Sequence, residues 1–240
     1  MEFEKLFEEV NFTYEYRNDM EEFYGNHFSS NDDMLEFFAK VFKDDNIDKA
    51  PRQMMNQVQR FVSLANDIDK IRPKRDPLRI LFIKTCLEAL CSISNMKKTD
   101  FYIAFPKYLS DEGKEYVLNN FSVSSFEDIY QGHQYEASHD LTIEDFFEII
   151  KATRDMVVHD GDYWQMQFFA YDTDSTWLAT LETKEKILKS YKYQFNDKMN
   201  RTYHFSTTLQ YDKFIFYFVE ACINFINNYI SRKEADTNNE

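Results

Sequence analysis

The sequence predicts a mainly α-helical protein, built on a four-helix bundle core with extra N-terminal helices and a small inserted β-hairpin. Its 240 residues are 43% apolar and 18% aromatic, which is enough to form a sizeable core. Four glycines and four prolines leave few tight turns, whereas an all-β or a nucleotide-binding α/β fold needs many. Apolar residues also recur at helical spacing in several long stretches. These observations predict one domain over residues 1–240.

Residues 1–45 form a predicted N-terminal helical extension. Their apolar side chains fall into two groups with helical spacing, separated by the polar stretch 25–31. The pattern predicts two helices. The first group is Phe3, Leu6, Phe7 and Val10, and the second is Met34, Leu35, Phe37, Phe38, Val41 and Phe42.

Two helices of the predicted bundle core follow, at 52–70 and 78–96. Pro51 suits the first turn of a helix, because proline lacks the N–H that this position leaves unpaired. Two prolines after residue 72 then interrupt the chain. The second helix is apolar on most sides, so we expect it to be central and buried. Its charged interruptions are Arg79, Lys84 and Glu88.

The other two helices of the predicted core lie at 142–160 and 209–231. Thr142 is an expected N-cap, with acidic residues in the first turn where the helix dipole favours them. Gly161 is the expected end of the first of these helices. The last helix is rich in aromatic residues and closes the bundle.

The remaining segments have weaker patterns. Residues 101–139 predict one or two brief helices and loops. Residues 162–208 form a predicted insertion, in which 163–169 and 176–183 pair as a hairpin and 184–200 form an amphipathic helix. The polar residues 233–240 predict a disordered tail.

Charge and cysteine content limit the class of protein. A net charge of −14 argues against a protein that holds nucleic acid through its overall field, so any RNA contact must be local. Three cysteines in apolar stretches indicate neither a disulfide framework nor a zinc site, and favour a cytoplasmic protein. The N-terminus lacks an apolar leader, and no apolar stretch reaches the roughly 18 residues of a membrane helix.

The segment Arg154-Asp155-Met156-Val157-Val158-His159 stands near the end of the third predicted core helix. An arginine followed four to six residues later by a histidine is common by chance, since a shuffled chain of this composition has about 0.6 such pairs. Requiring Asn, Asp or His directly after the arginine lowers this number to roughly 0.1. The helical context makes the pattern more specific still.

This segment resembles the Arg-x4-6-His motif of HEPN-domain ribonucleases. The resemblance implies a helical bundle that cleaves RNA without a metal or other cofactor, as a homodimer in which two motifs face each other across a cleft. It implies catalytic roles for Arg154, Asp155 and His159, although Asn usually follows the arginine. It also implies a toxin or antiviral effector that a protein such as an antitoxin can regulate.

The residue types suit this chemistry on their own terms. A guanidinium grips phosphate bidentately, so Arg154 can hold the scissile phosphate and stabilise its transition state. An imidazole titrates near neutral pH, so His159 can take the 2′-hydroxyl proton or protonate the leaving 5′-oxygen. Attack by the 2′-hydroxyl gives a 2′,3′-cyclic phosphate and a 5′-hydroxyl, and leaves DNA uncut.

A basic run precedes the second core helix, and its predicted role is to bind the RNA backbone. Its residues are Lys70, Arg72, Lys74 and Arg75, followed by Arg79. The alternative is a solvated linker between two helices. An acidic metal site is a weaker interpretation, because acidic residues have ordinary roles at helix ends. For the whole chain, the alternative is a catalytically inactive helical module that binds a protein partner.

Overall fold

The computed structural model describes residues 14–42, 49–128, 133–136, 141–159, 161, 166–168, 177–183 and 201–237. These ranges contain eight α-helices, two short 3-10 turns and four β-strands. The helices are α1 Tyr14–Tyr24, α2 Asn31–Val41, α3 Ala50–Ile71, α4 Asp76–Ile93, α5 Lys98–Ala104, α6 Asp111–Asn120, α7 Ile143–His159 and α8 Tyr211–Thr237. The strands are β1 Phe121–Asp128, β2 His133–Glu136, β3 Trp177–Thr183 and β4 Arg201–Thr207. The predicted mainly α-helical class is confirmed.

Helices α3, α4, α7 and α8 are the four predicted core helices. Prolines occupy the first turns of α3 and α4, where a missing N–H costs nothing. Each helix buries an apolar face in one continuous core, with Val58, Leu87, Ile150 and Phe218 at most 1% exposed. None of the helices in the described ranges combines the length and the apolar character that crossing a membrane requires.

Helices α4 and α7 run parallel, as their contacts with α8 and with each other indicate. Near the start of α7, Phe146 packs 5.4 Å from Phe214 in the first turn of α8. Arg79, in the first turn of α4, likewise stacks on the first residue of α8. Further along both helices, Arg154 of α7 contacts Glu88 of α4 at 3.2 Å. The C-terminal end of α7 therefore lies at the opposite end of the bundle from the α3–α4 turn.

The N-terminal extension is confirmed in its second helix, which is α2. The first predicted group, Phe3 to Val10, lies outside the described residues. Helix α1 was not predicted as such. It is fixed to the bundle by Tyr24, whose buried hydroxyl donates to the carbonyl of Met55 on α3 at 2.7 Å.

The predicted hairpin is corrected by the strand pairing. The four strands form an antiparallel sheet in the order β2-β1-β4-β3, so the strand predicted at 176–183 pairs with β4 and not with the described residues 166–168. Residues 166–168 instead close the bundle, because the ring of Phe168 packs 5.4 Å from Tyr211 and 5.6 Å from Phe214. The helix predicted at 184–200 lies outside the described residues.

Residues 101–139 contain both the predicted brief helices and two strands that were not predicted. Strand β1 pairs with β4, about eighty residues later, and its Phe121 stacks 5.1 Å from Phe205. Phe121 also packs 5.3 Å from Phe146, which attaches the sheet to the first half of α7.

The predicted tail is also corrected. Helix α8 continues to Thr237, so residues 233–237 are helical. Lys, Glu and Ala in this stretch have high helix propensity, and an already formed helix extends at little cost.

Candidate functional site

Helix α7 carries the predicted catalytic segment in its last two turns. Its first turn is held by a reciprocal cap, in which the Asp145 N–H donates to the Thr142 hydroxyl at 3.1 Å and the Thr142 N–H donates to the Asp145 carboxylate at 3.4 Å. Met156 and Val157 are buried against the core, whereas Arg154 and Asp155 are half-buried at the edge of the buried face. The helix thus positions Arg154 towards α4.

The guanidinium of Arg154 is held by two carboxylates. Its Nη1 donates to Oδ1 of Asp155 at 2.8 Å, and its Nη2 donates to Oε2 of Glu88 on α4 at 3.2 Å. Its Nε is buried and has no hydrogen-bond partner among the described residues. Partial burial opposes the charge, but the hydrogen bond to Asp155 and the two carboxylate charges outweigh it and raise the pKa of Arg154.

Glu88 links Arg154 to two lysines. Its Oε1 lies 3.5 Å from Nζ of Lys84 and 3.7 Å from Nζ of Lys98. Lys98 is 66% exposed, whereas Lys84 is buried with 1% of its surface accessible. The cluster of Arg154, Asp155, Glu88, Lys84 and Lys98 contains three cations and two carboxylates, so it carries one net positive charge in a strongly acidic chain.

Lys84 is held from the other side by Tyr102 of α5. Its ammonium donates to the Tyr102 hydroxyl and lies 3.7 Å from the ring centroid. Burial lowers the pKa of Lys84 to about 8, because a desolvated ammonium is costly. Burial, and then the charge of Glu88, raise the pKa of Tyr102. The hydroxyl therefore stays protonated at neutral pH.

His159 is the last residue of α7 and is exposed, as is Val158 at 50%. Among the described residues, no contact joins His159 to Arg154. Five residues correspond to about 140° around an ideal helix, so the two side chains leave α7 in different directions. Gly161, with a φ of +65°, lies just beyond the helix and suits its termination. A single α7 helix does not bring this arginine and histidine together.

The predicted RNA-binding residues lie at the turn between α3 and α4. Lys70 pairs with Asp67 at 2.9 Å, and Lys74 has a φ of 60° with its N–H directed to Asp69 at 3.3 Å. Arg72 and Lys74 are exposed, and Arg75 is half-buried. The turn lies at the opposite end of the bundle from His159. It is roughly 18 Å along α4 from Glu88, because each residue adds about 1.5 Å.

Arg79, next to this turn, has a structural role. Its guanidinium bonds Asp76 at 3.0 Å and lies 4.1 Å over the ring of Tyr211. Burial raises the pKa of Asp76 despite that arginine. These contacts join the starts of α4 and α8.

Four residues of the cluster were not predicted from the sequence as parts of the site: Glu88, Lys84, Tyr102 and Lys98. A signal was present for the first two, because they stand four residues apart on a helix that is otherwise apolar. Charged residues rarely become fully buried without a partner, and residues at this spacing face the same side. Nothing in the local pattern pointed to Tyr102 or Lys98.

Two of the acidic residues in the first half of α7, where an acidic metal site was considered, have other partners. Asp145 caps α7, and Glu148 lies 3.6 Å from Lys151. Asp160 and Asp162 are outside the described residues. Within the described ranges, no three His, Cys, Asp or Glu side chains are arranged to hold a metal ion.

A separate groove of about 600 Å³ lies between α1, α3 and α8, away from the Arg154 cluster. Its wall contains His27, whose ring stacks 4.7 Å from Phe216. The Nδ1 of His27 is buried without a hydrogen-bond partner among the described residues. Burial lowers the pKa of His27 to about 4.

Comparison with family models, with curated proteins and with solved structures found no match for this chain.

Proposed function

We propose that this chain is a metal-independent endoribonuclease of HEPN type that acts as a homodimer. The observation that carries the proposal is the arrangement of the motif on α7: Arg154 is anchored towards α4 by carboxylates, while His159 is exposed at the helix end. An anchored cation and an accessible imidazole are the two groups that cleavage through the 2′-hydroxyl needs.

In the proposed reaction, Arg154 binds the scissile phosphate and stabilises the added charge of the pentacoordinate transition state. One His159 removes the proton of the 2′-hydroxyl, whose oxygen then attacks phosphorus. The bond to the 5′-oxygen breaks, and that oxygen takes a proton from a protonated imidazole. The products are a 2′,3′-cyclic phosphate and a 5′-hydroxyl. In a homodimer, the motifs of both protomers meet at one cleft, so Arg154 of one protomer and His159 of the other can act on the same phosphate.

Carboxylate contacts leave Arg154 able to bind phosphate. A guanidinium has five N–H donors, and Asp155 and Glu88 engage one on each of the two terminal nitrogens. The second hydrogen on each terminal nitrogen remains for a phosphate oxygen. Lys98 and the basic run Lys70, Arg72, Lys74 and Arg75 are the proposed contacts to the RNA backbone beyond the scissile group.

A second candidate function is a catalytically inactive interaction module. It is favoured by the neutralisation of Arg154, whose positive charge lies within 3.2 Å of two carboxylates. In this case the cluster is a structural ion-pair network between α4 and α7, and the acidic surface binds a protein partner. RNA cleavage separates the two candidates.

The test is cleavage of a labelled single-stranded RNA by the purified protein in excess EDTA. Arg154→Ala and His159→Ala are compared with Lys151→Ala, a control that removes a cation from α7 one turn before the motif. We expect cutting by the wild type and the control, and a loss of at least about a hundredfold in both motif variants. An inactive wild type, or unchanged cutting by the motif variants, contradicts the proposal.

The proposed biological role is that of a toxin or antiviral effector acting in the cytoplasm, under the control of an inhibitory protein partner. The three buried free thiols suit a reducing compartment. Induced expression in a bacterial host tests this role. Growth arrest that Arg154→Ala and His159→Ala both relieve is expected, and arrest that persists in both variants contradicts it.

A further inference from the structure

We infer that Glu88 is a positioning residue for the site, fixing the guanidinium of Arg154 from α4 while Lys84 and Tyr102 fix Glu88 in turn. This inference rests on the proposed ribonuclease function and adds a residue outside the α7 motif to it.

Glu88 is the contact that orients Arg154 relative to the rest of the bundle. Asp155 is the neighbour of Arg154 in the chain, so their hydrogen bond moves with α7 and fixes nothing outside it. The contact to Glu88 joins residues 66 positions apart and crosses from α7 to α4. Among the described residues, no other side chain of a second helix bonds this guanidinium.

Glu88 is itself held at its other oxygen. Oε1 faces the ammonium groups of Lys84 and Lys98, while Oε2 faces Arg154. Lys84 is buried, and its ammonium is also tied to the Tyr102 hydroxyl. Burying an ammonium is costly unless it is paired, so a buried lysine at this place has a strong requirement for Glu88 and Tyr102.

The carboxylates of Asp155 and Glu88 together fix the orientation of the Arg154 guanidinium plane. Asp155 engages Nη1 and Glu88 engages Nη2, which leaves a planar group with both terminal nitrogens constrained. A catalytic group that is held in place before substrate arrives loses less entropy in the transition state. Removing Glu88 frees one end of this plane while leaving Arg154 present.

The test combines RNA cleavage with a direct measurement of arginine order. The variants are Glu88→Gln, which keeps the size of the side chain but removes its charge, Arg154→Ala, and the double variant. Glu148→Gln is the matched control. Glu148 also pairs with a lysine, Lys151 on the same helix, but it is not part of the Arg154 cluster. Thermal unfolding of each protein reports whether the fold is kept.

We expect Glu88→Gln to lower kcat about tenfold or more with a smaller change in KM, and to cause no further loss when Arg154 is already alanine. A purely structural role would lower activity equally in both backgrounds. The inference would be overturned if Glu88→Gln kept the wild-type kcat or raised it. It would also be overturned if Glu88→Gln caused the same further loss of activity in the Arg154→Ala background.

The second readout does not need activity. In ¹⁵N NMR spectra, the Arg154 Nε–H signal is identified by its absence in Arg154→Ala. Its heteronuclear relaxation should report an ordered group in the wild type and in Glu148→Gln, and a mobile one in Glu88→Gln. Equal order in Glu88→Gln overturns the positioning role. If the wild type does not cleave RNA but Glu88→Gln still makes the Arg154 side chain mobile, the ribonuclease proposal is refuted. The positioning of Arg154 by Glu88 then stands on its own.

Discussion

In the motif that residues 154–159 resemble, an amide usually follows the arginine, and here Asp155 stands in that place. It accepts a hydrogen bond from Nη1 of Arg154, a role that an amide oxygen also fills. Asp155→Asn should therefore keep cleavage within about threefold of the wild type, or raise it by removing a negative charge near phosphate. Asp155→Ala should lose activity. The measurement is kcat/KM on one RNA, and a severe loss in Asp155→Asn would show that the charge itself is required.

His27 gives a prediction about stability and pH. Because burial lowers its pKa from 6.5 to about 4 in the folded state, the unfolded chain binds more protons between these values. The contribution of His27 to the free energy of unfolding is therefore fully present above about pH 6.5, where the imidazole is neutral in both states. It declines as the pH falls from 6.5 towards 4. His27→Gln cannot be protonated, so its stability should fall less steeply over this range.

The check on His27 is urea unfolding of both proteins at several pH values between 4 and 7. The carboxylates titrate in both chains, so the difference between the two slopes isolates His27. Parallel slopes would show that the imidazole does not lose its charge on folding.

At the residue scale, the proposed motif could be found in the sequence because its residues are contiguous, and its catalytic role stays a prediction. Arg154, Asp155 and His159 are recognised from spacing and residue type alone. Glu88 could not be assigned to them, because its contact with Arg154 depends on the side-by-side packing of α4 and α7. Spacing did indicate that Lys84 and Glu88 share a face, but not that this face meets the motif.

Helix α7 is the element on which the site depends, and its cap gives a prediction at this scale. Thr142 accepts from the Asp145 N–H and also donates its hydroxyl proton to the Asp145 carboxylate at 2.8 Å. Thr142→Ala should lower the free energy of unfolding by about 1 kcal/mol, whereas Thr142→Ser keeps the hydroxyl and should lie near the wild type. Urea unfolding measures both, and an unchanged Thr142→Ala would mean that the cap does not stabilise the fold.

The bundle helices could be predicted from their period and ends, whereas the sheet could not be predicted correctly. Apolar spacing and capping residues are local signals, and they located α3, α4, α7 and α8 closely. Strand pairing is a long-range property: β4 lies between β1 and β3, and the pairing of β1 with β4 spans about eighty residues. The aromatic stretch near Phe168 resembled a strand because burial at a bundle end also selects such residues.

At the scale of the whole molecule, the separation of Arg154 and His159 on α7 makes the homodimer a testable requirement. If two motifs share a cleft, a mixed dimer of Arg154→Ala and His159→Ala protomers contains one intact arginine and one intact histidine. Mixing the two inactive variants under conditions of subunit exchange should therefore restore part of the activity. Light scattering should also give twice the 29.0 kDa mass of one chain.

A monomeric mass, or a mixture that stays inactive although mixed dimers form, would contradict the shared cleft. The control is a mixture of Arg154→Ala with the double variant, which supplies no intact arginine to any cleft and should remain inactive.

The net charge of −14 bears on how the molecule would bind RNA under the proposed function. The Arg154 cluster carries one positive charge, and the turn at 70–75 forms a second basic surface, roughly 18 Å along α4 from Glu88. Charge balance could be read from composition, but the location of these cations relative to the motif required the fold. Under the proposal, RNA contacts these two local cationic surfaces, while the remaining acidic surface repels it.

The most direct test of the central claim is the chemical nature of the ends that the wild-type protein produces from RNA in excess EDTA. We expect 2′,3′-cyclic phosphate and 5′-hydroxyl ends, no cutting of the same sequence as DNA, and loss of these products in folded Arg154→Ala and His159→Ala. No cleavage by the wild type, 5′-phosphate ends, or cutting that both variants retain would contradict it.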